Sequence, residues 1–194
     1  MRTGRERAYD WAVAEGMFLE DTIALLDRTP RAMRELLWGL PEKWLGAPDV
    51  AGGWTAHDVV GHLISAEEAN WIPRVTRLLE KGTSEAFDGF DRFAHVEREA
   101  GVPLGDLLDR FSALRAASLV ELRELVGEEA DLERRGRHPE LGEVTLRQLL
   151  ASWTIHDLDH LQQIFASLAG TRDEMVGPWK AYLGILLRRD AAAT

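Results

Sequence analysis

The sequence has no cysteine among its 194 residues. This absence excludes disulfide bonds, cysteine-ligated zinc sites and a cysteine nucleophile. Any metal site must therefore use histidine, aspartate or glutamate ligands, and any thiol chemistry needs a thiol from outside the chain. The sequence also has no run of about twenty apolar residues, so it predicts no transmembrane helix.

An excess of positive charge is missing too, since 23 basic residues face 33 acidic ones and the formal net charge is −10. Binding to nucleic acid or to an anionic membrane would need a concentrated basic patch against this background. The nearest candidate, Glu133–Arg137, is short and follows an acidic stretch, so we interpret it as a solvated surface segment. The charged start, Met1–Trp11, has no apolar run behind it, which indicates no signal peptide and predicts a cytoplasmic protein.

What the sequence does contain is recurrent helical periodicity, with few residues that favour strands, and this predicts an all-α protein. The pattern leaves open whether the first two helical segments form one kinked helix or two. A less regular crossover, Ser84–Gly101, with a short helix near Asp91–Glu99, separates the later segments. The sequence predicts a four-helix bundle with a long crossover connection, as one domain over residues 1–194 with an N-terminal extension of about residues 1–28. The helical segments are Arg5–Arg28, Arg31–Leu40, Thr55–Glu80, Leu104–Val126, Thr145–Leu168 and a last short helix, Pro178–Leu187.

Several helix ends are marked by local residues. Thr55 and Asp58 form a capping box that predicts a helix start, and Thr145 caps the segment that Gly170 ends. Thr29 before a proline predicts a further helix start. Residues 135–143 are polar and turn-like, so they are predicted to form a loop.

Two histidines lie on an apolar face of the Thr145–Leu168 helix. His156 and His160 are four residues apart and project from the side that also carries Trp153 and Ile164. Burying two imidazoles without partners is costly, because each ring has a nitrogen donor and a nitrogen acceptor to satisfy. One divalent metal ion would satisfy both rings, which makes this pair a candidate half of a metal site.

The best third ligand is His62, because Val59, Leu63 and Ala66 surround it on the apolar side of the second helix. Facing helices of a bundle lie about 8–10 Å apart, which lets imidazoles from two helices reach one ion. Three protein ligands with a fourth position open describe a catalytic metal centre. Such a centre would suit zinc, nickel, copper or iron.

The alternative is that these histidines are satisfied core residues, because His-x-x-x-His on a helix is a weak pattern by itself. For His57, His95 and His138 we favour such a structural role. Asp157 could orient a neighbouring group as a hydrogen-bond acceptor or could be solvated. The sequence has no H-E-x-x-H pair, no paired Glu-x-x-His motifs, no Gly-rich phosphate loop and no G-x-S-x-G turn, which leaves a mononuclear three-histidine site.

These residues resemble a known family. GWTAHDVVGHL (Gly53–Leu63), and RHPELGEVTLRQLL followed by HDLDHLQQI within Arg137–Ile164, are similar to the second helix, the loop and the fourth helix of the DinB/YfiT-like metalloenzymes. The resemblance implies a four-helix bundle, often a homodimer, with zinc or nickel on His62, His156 and His160. Characterised members of that family include metal-dependent transferases that use thiols such as bacillithiol or mycothiol, and related isomerases, so the resemblance implies an activity of this kind.

The function hypotheses follow from this resemblance together with the site. The first is a metal-dependent transferase that acts through a low-molecular-weight thiol on a small electrophilic substrate, since metal coordination deprotonates a thiol. A metal-dependent hydrolase would use the same three histidines with bound hydroxide. The last alternative is a non-catalytic metal-binding or stress-response bundle that the ion stabilises. No catalytic residue beyond the metal ligands is predicted.

Overall fold

Most of the secondary structure consists of α-helices in which apolar residues recur at helical spacing. The computed structural model describes residues 18–192. It contains a two-stranded hairpin and short 3₁₀ segments at Glu42–Trp44, Glu129–Glu133 and Asp173–Tyr182. The helices and strands are α1 (Phe18–Leu26), α2 (Arg28–Leu37), α3 (Ala56–Ala69), α4 (Trp71–Lys81), α5 (Ala94–Arg98), α6 (Leu104–Leu125), β1 (Arg135–His138), β2 (Gly142–Thr145), α7 (Leu146–Gly170) and α8 (Gly184–Ala192).

The bundle has four helical positions. The consecutive helices α1 and α2 occupy the first, α3 and α4 occupy the second, α6 is the third and α7 is the fourth. The α6 helix packs against α2, α3 and α4, and α7 packs against α1, α2, α3 and α4. The connection from α4 to α6 carries α5, which lies on α3. The predicted all-α four-helix bundle with a long crossover is therefore confirmed.

Apolar side chains fill the bundle as two clusters. One contains the stacked rings of Trp71 and Trp153, and the other is built around Phe111 and Ile164. On α7 the boundary between the clusters falls between Trp153 and Ile164, which is where His156 and His160 lie. Within the described part of the chain, no helix has both the length and the apolar character needed to cross a bilayer.

The two strongest helix-start signals are confirmed. The Thr55 hydroxyl accepts the Asp58 backbone N–H at 3.3 Å, and the Asp58 carboxylate accepts the Thr55 backbone N–H at 3.0 Å. Thr145 and Gln148 make the same reciprocal pair at the start of α7. Each pair satisfies two of the backbone N–H groups that a helix start leaves free. The two helices that carry the candidate ligands therefore begin at fixed points.

The predicted helix from Thr55 to Glu80 is interrupted at Asn70, which separates α3 from α4. Asn70 has φ −116° and ψ −62°, and Pro73 falls in the first turn of α4. A proline costs little there, because the N–H groups of a first turn have no partner within the helix. At the other end, Gly82 follows Lys81 with φ 57°, so the helix ends close to the predicted last residue, Glu80.

The N-terminal prediction Arg5–Arg28 lies partly outside the described residues. From Phe18 onward this segment forms α1, and Leu26 of α1 is fully buried in the bundle. Residue 27 separates α1 from α2, so these are two helices. The α2 helix begins at Arg28, so Thr29 lies inside its first turn and the start predicted there is displaced.

The predicted loop over residues 135–143 is wrong, because this segment belongs to an antiparallel hairpin in which Gly136 pairs with Val144. The hairpin packs on α4, and a Cβ atom on Gly136 would lie 2.9 Å from Leu78 Cγ and 3.0 Å from the Phe87 ring. The glycine therefore permits a close contact between the hairpin and α4. This contact stabilises two strands that are too short and too polar to be recognised in the sequence.

The predicted last helix, Pro178–Leu187, is also wrong in its bounds. Pro178 lies inside a 3₁₀ segment, and the α8 helix begins at Gly184. Gly177 has φ 52°, so the backbone turns immediately before the proline instead of entering a helix there.

Candidate metal centre

Three histidine rings from two helices meet inside the bundle. The Nε2 atom of His156 lies 3.2 Å from Nε2 of His62 and 3.1 Å from Nε2 of His160. The candidate ligand nitrogens of all three lie within 4.8 Å of one another. His156 and His160 are one turn apart on α7, and His62 comes from α3, which packs against α7. The structure therefore brings together the three histidines that the sequence predicted as candidate ligands.

Two of the rings are held by hydrogen bonds at their outer nitrogens. His62 Nδ1 lies 3.2 Å from the Arg92 carbonyl oxygen, and His160 Nδ1 lies 2.8 Å from Gln163 Oε1. Both partners are oxygens that only accept, so each Nδ1 carries the proton and each Nε2 has a free lone pair. The Nδ1 atom of His156 is buried with no hydrogen-bond partner among the described residues.

This donor set fits a metal ion. Nitrogens bound to a tetrahedral ion at 2.0–2.1 Å lie about 3.3 Å apart, close to the two Nε2–Nε2 separations. Without a cation, the lone pairs of His62 and His160 face His156 Nε2, which can donate a proton to only one of them. At least one buried nitrogen would then lack a partner, whereas one ion satisfies all three.

Burial keeps the three rings in the neutral form that ligates metals. Loss of hydration, followed by repulsion from His160, lowers the pKa of His62 to about 4. The same two causes in the same order lower the pKa of His156 to about 2, and burial also lowers the pKa of His160. Near pH 7 an incoming cation therefore has no protons to displace from these rings.

Aromatic rings enclose the three histidines. The Trp54 ring centroid lies 4.8 Å from that of His62 and 6.1 Å from that of His160, in the second case at an interplanar angle of 20°. Phe90 approaches His62 at 5.7 Å, and Trp71 approaches His156 at 5.1 Å, both edge to face. These walls exclude water from the inner side of the site and strengthen its electrostatic interactions.

The outer side of the site opens into a pocket of about 420 Å³, of which His160 is part of the wall. The pocket is also lined by Trp54, by Arg92 and Phe93 of the crossover, and by Arg188 of α8. Three histidines with an open side have the form of a catalytic metal centre rather than a closed structural one.

The sequence and the fold have known counterparts. The sequence profile described as the DinB superfamily matches residues 25–164, which include all three histidines. The chain belongs to the DinB superfamily. The family resemblance noted in the sequence is thereby confirmed.

Relatives of this DinB superfamily member carry names that refer to metal. A protein of Bacillus mycoides (strain KBAB4), named "Putative metal-dependent hydrolase", is 25% identical over 146 residues, which cover 75% of this chain and 83% of the relative. A protein of Bacillus cereus (strain 03BB102) with the same name is 25% identical over 158 residues, covering 80% of this chain and 88% of the relative.

A solved structure has the same fold. YfiT from Bacillus subtilis, described as "a probable metal-dependent hydrolase with an unusual four-helix bundle topology", superposes with a TM-score of 0.66. The two chains are 22% identical, and the match covers 81% of this chain and 87% of YfiT. At this identity the likeness concerns the fold alone.

The other three histidines, for which the sequence favoured a structural role, lie outside the candidate ligand group. His57 Nε2 is 2.8 Å from the Val102 carbonyl, and His138 Nδ1 accepts two backbone N–H groups in the hairpin turn. His95 is 1% exposed and lies closest to the site, with its ring centroid 5.5 Å from that of His62. It is not one of the converging rings, and its two buried ring nitrogens have no hydrogen-bond partner among the described residues.

Sequence reasoning missed a buried ion-pair network beside His156. Arg115 of α6 binds the Asp157 carboxylate at 2.6 and 3.0 Å and Glu67 Oε1 at 2.8 and 3.0 Å. The solvated alternative for Asp157 is wrong, because its side chain is fully buried and its partner is Arg115. The available signal was an arginine four residues after Phe111, inside the apolar stripe of α6.

Proposed function

We propose that this protein is a metal-dependent transferase. His62, His156 and His160 would hold one divalent ion, zinc or nickel, and a low-molecular-weight thiol would attack a small electrophile in the adjoining pocket. The observation that carries this proposal is the convergence of three Nε2 atoms beside a pocket whose wall includes His160.

The bound ion would lower the pKa of a coordinated thiol, so that the thiolate forms near neutral pH. The chain's own residues supply orientation and a dry wall. The Arg92 carbonyl and the Gln163 side chain hold two imidazoles with Nε2 directed inward. Trp54 covers His62 and His160 and limits the entry of competing water. A chain without cysteine is compatible with a sulfur nucleophile that arrives with a cosubstrate.

Hydrolysis is the second candidate. It is supported by the names of the relatives and by Asp159, an exposed carboxylate that lines the pocket together with His160. A carboxylate placed there could accept a proton from an attacking water molecule.

Metal analysis of purified variants tests the premise that both candidates share. We expect about one zinc or nickel ion per chain in the wild type and a loss of metal in His156→Ala, because two nitrogens remain where three are needed. His57→Ala is the matched control, since this histidine binds a backbone carbonyl outside the site. Equal metal content in His156→Ala and the wild type would contradict the proposal, provided circular dichroism shows both folded.

Product analysis separates the candidates. The metal-loaded protein is incubated with an alkyl halide in the presence and absence of a low-molecular-weight thiol, and separately with simple esters. A metal-dependent thioether product supports the transferase, and ester cleavage in thiol-free buffer supports the hydrolase. If the metal-loaded protein converts neither the alkyl halide nor the esters, the non-catalytic bundle is favoured.

The homodimer implied by the resemblance stays a prediction, which sedimentation equilibrium tests.

A further inference from the structure

Two arginines at the pocket have no ion-pair partner among the described side chains. Arg92, from the crossover, and Arg188, from α8, line the same pocket as His160. Many other arginines bind carboxylates, as Arg77 does with Asp88 and Arg110 does with Glu99, whereas exposed Arg137 on β1 binds none within the described part of the chain. What sets Arg92 and Arg188 apart is that both line one pocket beside His160, so that the pocket offers two positive groups to an external anion.

Arg92 is also close to the candidate metal centre. Its carbonyl oxygen accepts the proton of His62 Nδ1, and its positive charge contributes to the lowered pKa of His62 and of His160. The guanidinium carbon lies 5.4 Å from the centre of the Phe93 ring, which also lines the pocket. An anion bound by Arg92 would therefore lie near the open side of the three histidines.

The acidic side chains of the pocket leave these arginines free. Asp49 Oδ1 accepts the backbone N–H groups of Val50 and Trp54, each at 2.9 Å, and so ties the loop before α3. Asp159 lines the pocket but forms no ion pair with Arg92 or Arg188. The pocket therefore keeps two positive groups accessible to a ligand.

We propose that this pocket binds a small molecule bearing a carboxylate, which Arg92 and Arg188 hold while its reactive end faces His160. Guanidinium groups suit this ligand, because their fork of N–H donors matches the two oxygens of a carboxylate. A volume of about 420 Å³ accommodates a small molecule. The inference rests on the proposed function, because the molecule that bears the carboxylate is then either the thiol cosubstrate or the electrophile.

A pair of nearly isosteric thiols tests this. The cobalt(II)-loaded protein is titrated with 3-mercaptopropionate and with 3-mercaptopropionamide, and thiolate-to-cobalt absorbance reports binding. We expect the acid to bind about tenfold more tightly than the amide, the size of effect expected for a charge-assisted hydrogen bond. The preference should fall to near one in the double variant Arg92→Gln/Arg188→Gln. It should persist in Arg137→Gln, since Arg137 is exposed on β1 and outside the pocket.

Two outcomes overturn the inference while the metal centre stands. One is equal affinity of acid and amide in the wild type. The other is a preference that survives in the double variant, because the carboxylate would then bind the metal directly. If the wild type fails to bind cobalt, the proposed function fails, and calorimetric titration of the metal-free protein with succinate tests the pocket alone. Succinate binding to the wild type that is lost in the double variant supports the inference. Absence of succinate binding to the wild type overturns it.

Discussion

Replacement of the buried Arg115 should destabilise this bundle strongly. Its guanidinium makes two hydrogen bonds to Asp157, two to Glu67 and one of 2.8 Å to the Leu26 carbonyl. The side chain of Arg115 is 2% exposed, and those of both acidic partners are 0% exposed. Neither carboxylate can exchange its bonds to Arg115 for bonds to water.

Replacement of Arg115 by methionine retains a long, flexible side chain but leaves two buried carboxylates without a counter-charge. Removal of one partner from a buried ion pair costs about 3–5 kcal/mol, because the remaining charge stays desolvated. Burial already raises the pKa of Glu67, against the opposing effect of Arg115, so this group would take up a proton in the variant and limit the loss. We expect Arg115→Met to lower the free energy of unfolding by about 4 kcal/mol at pH 7.

Urea denaturation followed by tryptophan fluorescence measures this loss. The matched control is Arg147→Met, which breaks exposed ion pairs to Glu129 and Glu133 and should cost less than about 1 kcal/mol. A triple variant, Arg115→Met with Glu67→Gln and Asp157→Asn, removes every charge and should be more stable than Arg115→Met alone. The reasoning is refuted if Arg115→Met costs no more than the control, or if the triple variant is the less stable of the two.

Three further predictions concern the hairpin, a helix cap and pH. Gly136→Ala should lower the melting temperature, at a cost of about 1–3 kcal/mol, because the added methyl group meets α4 at 2.9 Å. An equal effect of Gly89→Ala, where nothing lies within 4 Å, would contradict this. Thr145→Ala should cost about 1 kcal/mol in urea denaturation through loss of the α7 cap. Metal content should stay unchanged, and a loss of metal would show that the cap positions the ligands. Finally, the metal-free protein should lose stability from about pH 6.5 down to pH 4. In this range the unfolded chain takes up protons on His62 and His156, whose folded pKa values are about 4 and 2. Equal urea midpoints at pH 7 and pH 5 would disprove it.

The features that could be predicted from the sequence are those fixed by residues close together along the chain. The start of α3 follows from Thr55 and Asp58, and the start of α7 follows from Thr145, because capping bonds span only three residues. The candidate ligands followed in the same way, since His62 and the His156–His160 pair stand among apolar residues at helical spacing. The order of the motifs, which resembles that of a known family, then predicted a single four-helix bundle.

The features that could not be predicted depend on distances between elements. Arg115 has no obvious partner in the sequence, because Glu67 of α3 and Asp157 of α7 reach its side chain only in the assembled bundle. Arg92 lies in an irregular crossover, so no periodic pattern could place it at the pocket. The hairpin forms because Gly136 allows close packing on α4, and that contact joins residues far apart in sequence.

The buried network and the three histidines are connected by charge. With both carboxylates ionised, Arg115, Glu67 and Asp157 together carry one negative charge inside the bundle. The network lies near the histidines, since Arg115 contributes to the lowered pKa of His156 while Asp157 acts in the opposite direction on His160. A divalent cation between the histidines would compensate this surplus in a medium where charges interact strongly. An ionised Glu67 beside Arg115 and Asp157 therefore favours a cation at the three histidines, and its protonation, which burial promotes by raising its pKa, would remove that contribution.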